Sequence, residues 1–587
     1  MKKYILFAAC ILTITACNHR EKTDNRSSFQ KILDNYWEER MQLFPLEATA
    51  NGDNRYNDRM TITISESFLD SLSRFYQKQL HLIGAVDTTR LNEEEKLSYT
   101  LFSYEMNMNL EGLKFPTHYL PINQFWSPTL DLPQLGSGKG NQPFKTVKDY
   151  KDFLKRVSVF PAWGDTAIAN MRVGIAKGWV LPKALVIKIL PQLKAMIVND
   201  AKESIFYGPL NDMPKTFSPE DKQKLTADYE AAISNEIIPT YKKLYDFFES
   251  EYMPKARTTT GVGDLPDGKA YYEYCARYWT TTNLSPDSIY QIGLAEVSRL
   301  EAEMNKVKEQ TGYAGDLKSF FQYTTTDPKF FPFHTPQEVL DSFWNIKKQE
   351  DPQLKRLFNH TPKTPFTIRQ TEAFRAASAS AEYNPGSEDG SRPGVFYVPI
   401  LDATKYNAVG MQTLFLHEAI PGHHYQISLA QENEGLPKFR KFLWYGAYGE
   451  GWALYSESLG KELGLYKDPY QYFGHLSDGI HRAIRLVVDV GMHTKGMTRE
   501  EAIAYMCAHE SIDEAGAIAE IERYMAIPGQ ALSYKMGQLH IAALRKKYEA
   551  QLGAKFKIAS FHDEVLKDGC LPLDVLTAKM DKWAAKQ

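Results

Sequence analysis

Residues 416–426 read LHEAIPGHHYQ. A His-Glu pair closing an apolar helical lead-in, here GMQTLFL, is how a zinc-binding helix begins. In that pattern a second histidine four residues on shares the first one's face, and the glutamate acts as general base. Four residues after His417 stands Pro421, which cannot ligate and which removes a backbone donor, so an undisturbed helix through it is not expected. In a regular helix His423 would point about 120° away from His417, and His424 would share its face but stand about 10 Å along the axis. Neither could then join His417 on one metal at bonds of about 2.1 Å. A bulge or break at Pro421-Gly422 that loops out two residues puts His423 where the second histidine belongs. This makes His423 the better ligand candidate, with His424 as the alternative, and Glu418 the candidate base.

Catalytic zinc takes three protein ligands and keeps a position open. The third candidate is Glu450, in YGAYGEGWALYSESLG (445–460). Its flanking glycines weaken a helix unless backbones or a ligand come close. Glu457, two turns further on the same face, could orient a ligand histidine and is next in line as third ligand. In HRAIRLVVDVGMH (481–493), Arg485, Asp489 and His493 recur every four residues as a polar stripe on an apolar helix, with Arg482 nearby. Buried charges need partners, so the stripe is either a structural ladder or functional. In the functional case Asp489 holds a ligand histidine and an arginine pairs with a substrate carboxylate. Tyr534, in YMAIPGQALSYKMGQLH (524–540), is the candidate hydroxyl donor to an oxyanion.

The elements that must carry these residues are mostly helices. Helical periodicity runs over 29–42, 65–86, 92–110, 146–171, 182–206, 219–248 and 286–312. Ser218-Pro219, Ser285-Pro286 and Thr498-Arg499-Glu500-Glu501 give helix starts. A Gly- and Asp-rich loop at 258–272 separates an N-terminal helical region (29–257) from a catalytic region (258–587). Val395–Val398 reads as a strand, and the following Pro399 makes it an edge strand that could pair with an extended peptide. Arg392 and Tyr397 are candidate substrate contacts beside it. The metal helix is expected over 411–430. The fold class is thus mainly α, a large multi-helix protein with a small β element beside the metal helix.

The N-terminus, MKKYILFAACILTITAC, has two lysines and an apolar run too short to span a bilayer, then Ile14-Thr15-Ala16-Cys17, which resembles a lipobox. Residues 1–17 are therefore expected to be a lipoprotein signal with Cys17 lipidated, and 18–28 a polar tether. That places the protein in the cell envelope, anchored to a bacterial membrane. The three remaining cysteines, Cys275, Cys507 and Cys570, make no disulfide framework. A formal net charge of −3 over 587 residues gives no reason to expect nucleic acid.

HEAIPGHHYQ, GEGWALYSE, RAIRLVVDVGMH and PGQALSYKMGQL, in that order, together with DGSRPGVFYV upstream, closely resemble the bacterial family named domain of unknown function 885. GIAKGWVLPKALV (174–186) and the segment 268–304 extend the resemblance over most of the chain. The resemblance implies a largely helical, zinc-peptidase-like protein, with Gly422-His423 answering to the Gly-His end of the shorter motif. Residues and resemblance together lead to one expectation. It is a lipid-anchored zinc metallopeptidase for short peptides, with zinc on His417, His423 and Glu450, Glu418 moving the proton, and His424, Glu457, Arg485, Asp489, His493, Arg392 and Tyr397 around ligands or substrate. A metal-dependent amidase or esterase acting on a cell-wall or other non-peptide substrate has the same machinery. A peptide-binding lipoprotein with a structural metal would have no use for Glu418.

Overall fold

Apolar residues at helical spacing dominate the chain, and the computed structural model, which describes residues 28–372, 380–387 and 392–587, is mainly helical. Cys17 and its lipobox lie outside the described residues. No described helix is long and apolar enough to cross a membrane. The capping signals work locally. Ser218 and Ser285 accept from Asp221 N–H and Ser288 N–H, and Thr498 and Glu501 form a reciprocal capping box. Several expected helices are shorter than their periodicity. The stretch 146–171 divides into Val147–Val157 and Phe160–Lys177 just ahead of Pro161, and 182–206 ends as an α-helix at Ala195. In 219–248 a π-helical turn at Ile233–Ile237 interrupts the α-helix.

The loop expected at 258–272 ends earlier, because the helix Gly268–Thr280 begins inside it. The loop also does not divide two separately packed regions. One buried apolar cluster joins Phe29–Met106 to residues from Phe333 to Ala584. A second joins Ile122–Tyr252 to residues from Val297 to Ala531. Both clusters cross position 258, so the helices before it complete the core around the helices after it. Within the second cluster the helix Pro469–Thr494 packs along Pro286–Gln310, and it is buried almost all round from Ala483 to His493. That burial covers its apolar residues and leaves Arg485, Asp489 and His493 in need of partners.

The β element is a three-stranded sheet of β1 (Phe366–Gln370), β2 (Glu382–Asn384) and β3 (Gly394–Val398). The order is β1-β3-β2, with β3 parallel to β1 and antiparallel to β2. Val395–Val398 is therefore the central strand and not the expected edge. Pro399 follows its last paired residue and so interrupts no ladder bond. Both sides of β3 are taken, and among the described residues β1 and β2 form the two edges.

Candidate metal centre

The helix expected over 411–430 is two helices, Met411–Glu418 and His423–Glu432. Between them Ala419 (φ −103°, ψ −101°) and Gly422 (φ −76°, ψ −130°) leave helical geometry, and the Ile420–Pro421 peptide is cis. Gly422 folds back so tightly that a Cβ there would stand 1.9 Å from the His417 carbonyl oxygen, which only glycine allows. The carbonyl of Pro421, freed from any helix, accepts from the Trp452 indole N–H at 2.7 Å and the Ser456 hydroxyl at 3.4 Å. Both donors lie on the helix Gly446–Ser458, so the helix that carries Glu450 also holds the break.

The break turns His423 back toward His417. The Nε2 atoms of His417 and His423 stand 3.7 and 3.3 Å from the same carboxylate oxygen of Glu450. One ligand atom from each of the three residues lies within 4.8 Å of the other two. Ligand atoms at about 2.1 Å from a tetrahedral zinc are about 3.4 Å apart, and the two separations from Glu450 lie close to that value. His417 Nδ1 is 2.7 Å from Glu457 Oε1. A proton on Nδ1 donated to Glu457 leaves Nε2 as the free lone pair, the arrangement that fixes a metal-binding imidazole.

The electrostatics suit a cation. Burial opposes ionisation of the Glu450 carboxyl, yet His423 and His417 hold it well below the usual carboxylate range. Burial likewise disfavours the His417 imidazolium, but Glu450 and Glu457 outweigh it and raise its pKa. Either a proton or a metal ion must balance the carboxylates here. Glu418 is also buried, and its pKa is raised, first by burial.

The glycines beside Glu450 each have a reason. A Cβ on Gly449 would meet the Trp444 ring at 2.2 Å, and one on Gly451 would meet Gly537 Cα at 2.5 Å, where Gly446–Ser458 crosses the helix Leu532–Leu552. That crossing brings Tyr534 to the site. A cavity of about 430 Å³ is lined by His417, Glu418, His423, Glu450, Arg482, Arg485 and Tyr534. Residues the sequence reading did not single out share the lining: Trp444, His481, Glu520 and Arg523, and Ala381–Tyr383 around β2. His481 was legible in principle, being four residues before Arg485 on the same stripe. Glu520 and Arg523 belong to an amphipathic helix with no motif, Glu514–Ala526.

Other expected site residues are elsewhere. His424 faces the sheet. Its Nδ1 is 2.9 Å from the Tyr383 hydroxyl, its ring lies against Phe366, and burial lowers its pKa to about 4. Asp489 holds no ligand histidine. It accepts from the Tyr272 hydroxyl at 2.5 Å and from Gly529 N–H at 3.1 Å, and burial raises its pKa to about 7. His493 accepts from Val262 N–H at 3.0 Å and its Nε2 meets the Tyr524 carbonyl at 3.1 Å. The far end of the polar stripe thus ties buried loops together, because the helix turns it away from the cavity, and only the Arg482–Arg485 end reaches the lining. Arg392 is exposed in a turn with Ser387, and neither it nor Tyr397 lines the cavity.

The fold is shared with solved structures. A candidate lipoprotein from Colwellia psychrerythraea is 29% identical, with a TM-score of 0.88 over 96% of this chain and 100% of its own. A candidate lipoprotein of unknown function from Shewanella oneidensis is 20% identical, with a TM-score of 0.73 over 94% of this chain and 100% of its own. No curated protein matches. The sequence profile of the bacterial proteins of unknown function DUF885 matches residues 45–580, and the chain belongs to that family.

Proposed function

We propose that the protein is a zinc-dependent hydrolase of short peptides, anchored to a bacterial membrane outside the cytoplasm. The observation that carries this reading is the convergence of His417, His423 and Glu450 at ligand spacing in a cavity that Glu418 also lines. When bound there, zinc supplies Lewis acidity to a carbonyl and lowers the pKa of a water towards neutrality. Glu418 takes the proton from the attacking water and delivers it to the leaving amine. Its carboxyl is buried and its pKa raised by that burial, which favours its holding a proton in transit. Tyr534 is placed to donate to the carbonyl oxygen as it becomes negative. Glu457 keeps His417 in the tautomer that leaves Nε2 free.

A peptide is favoured over other acyl substrates by β2, a sheet-edge strand whose residues line the same cavity. An extended substrate can align along such an edge by main-chain hydrogen bonds. The lipobox-like ITAC ending at Cys17 and the likeness to candidate lipoproteins support the anchor. The direct test is incubation with a peptide library, with and without chelator, read by mass spectrometry alongside elemental analysis. Chelator-sensitive cleavage with about one zinc per chain is expected, and a chain that binds no zinc counts against the reading. Cys17→Ala should move the protein from the membrane fraction to the soluble fraction. An unchanged membrane fraction would remove the lipid anchor.

A further inference from the structure

We propose that the cavity holds its substrate by a free C-terminal carboxylate, clamped by Arg482, Arg485 and Arg523, so that cleavage takes place close to the C-terminus of a short peptide. This rests on the peptidase reading and names the substrate end that it takes. Arg485 is 3% exposed. Its Nε donates to the Tyr524 hydroxyl at 2.8 Å and one terminal nitrogen donates to Glu520 at 2.9 Å. Those bonds fix the guanidinium plane. The other terminal nitrogen, Nη1, is buried with no partner, as is Nε of Arg482. A buried donor left unpaired is costly, more so when charged, so a cavity that keeps two of them is built for an acceptor.

Among the described residues, the acids nearest these arginines leave both donors without a partner. Among the described residues Glu520 is the carboxylate within 4 Å of Arg485, and Arg523 stands 3.8 Å from the same side chain. Asp478 is 4.0 Å from Arg482, beyond hydrogen-bond distance. Glu510 is engaged by His481 at 2.7 Å. Glu450, in the same lining, faces His417 and His423. Three guanidinium charges therefore share one closely paired carboxylate, and a guanidinium fork matches a second carboxylate in two parallel bonds. The Tyr534 ring lies against two of them, with its centroid 4.7 Å from Arg485 and 5.5 Å from Arg482. These arginines line the same 430 Å³ cavity as His417, His423 and Glu450. A peptide held by its carboxylate among the arginines presents a carbonyl near its C-terminus to the histidine–glutamate set.

The experiment uses zinc-loaded Glu418→Gln protein and three tetrapeptide pools: free acids, the same sequences C-amidated, and amidated sequences carrying an internal Glu. Retained peptides are quantified by mass spectrometry. Free acids should be retained at least about tenfold better than amides, as expected for charge-assisted bonds, and internal Glu should not restore binding. Arg482→Gln should bring the acids down to the level of the amides with zinc content unchanged, and Arg523→Gln is the second variant. Equal retention of acids and amides overturns the proposal, and so does full rescue by internal Glu. Acid-selective retention by the variant with no cleavage of any pool by the wild-type protein would leave the clamp standing and remove the peptidase reading. Cleavage of acids and amides alike, with equal retention, would do the reverse.

Discussion

His423 and His424 are neighbours in the chain with unrelated partners: one faces Glu450 across the candidate metal centre, the other the Tyr383 hydroxyl beside the sheet. Their alanine variants should therefore part company. His423→Ala should abolish zinc binding, whereas His424→Ala should keep zinc and lose about 1–3 kcal/mol of stability, the cost of stranding buried polar partners. Glu418→Gln should keep zinc and lose about 10²–10⁴-fold in turnover, since it removes only proton transfer. Elemental analysis beside peptide cleavage separates the three, and full zinc in His423→Ala would mean another ligand set. His493 offers a pH test at the same scale. Burial lowers its pKa to about 3, aided by Arg257 and opposed by the Tyr524 carbonyl, against about 6.5 in the unfolded chain. Above 6.5 both states leave it neutral and its bonds contribute in full. Between 6.5 and 3 only the unfolded chain takes the proton, so this contribution is lost as pH falls, by about 1.4 kcal/mol per pH unit. The stability gap between wild type and His493→Asn should narrow at that slope from pH 6.5 to 5 in urea titrations. A constant gap would mean that His493 is protonated in the fold.

At the scale of elements, the candidate metal centre depends on a helix that stops and restarts. Trp452 tests how that break is held. Trp452→Phe deletes the 2.7 Å bond to the Pro421 carbonyl and should cost about 1–2 kcal/mol while weakening zinc binding, because His423 follows directly from the break. Tyr448→Phe, on the same helix, removes a bond of equal length to the Val565 carbonyl and should cost similar stability with zinc affinity unchanged. Equal zinc affinity in both variants would mean that the break holds itself. The break was legible in the sequence, since Pro421 forbids a continuous ladder and the distances demand a detour. The strand order was not. β-Branched and aromatic content identifies a strand, but whether it is central depends on partners elsewhere in the chain. The polar stripe from Arg485 to His493 was legible as a stripe. Which end faces a cavity is set by the helices packed around it, and four-residue spacing does not encode that.

The whole molecule is assembled across the position where the sequence shows its clearest loop. Residues 29–106 pack into the cluster that includes Phe415, Leu416 and Ile420 of the metal motif, together with Trp452 beside Glu450. Residues 122–252 pack into the cluster that includes Ile480, Ile484 and Val488 of the arginine-bearing helix. The candidate site residues all lie after 258, yet the apolar faces that fix their helices are covered from before it. Removing residues 1–257 would expose those faces at about 25 cal/mol per Å² of apolar surface, a loss that a domain stable by only about 5–15 kcal/mol cannot absorb. The fragment 258–587 should therefore aggregate or bind a hydrophobic dye, with no cooperative thermal transition and no stoichiometric zinc. Supplying 28–257 as a separate chain during refolding should restore both, because the two pieces share cores while the candidate site residues all lie in one of them. A fragment 258–587 that melts cooperatively and holds zinc by itself would show that the N-terminal helices are an accessory layer, and that the loop at 258 is a domain boundary after all.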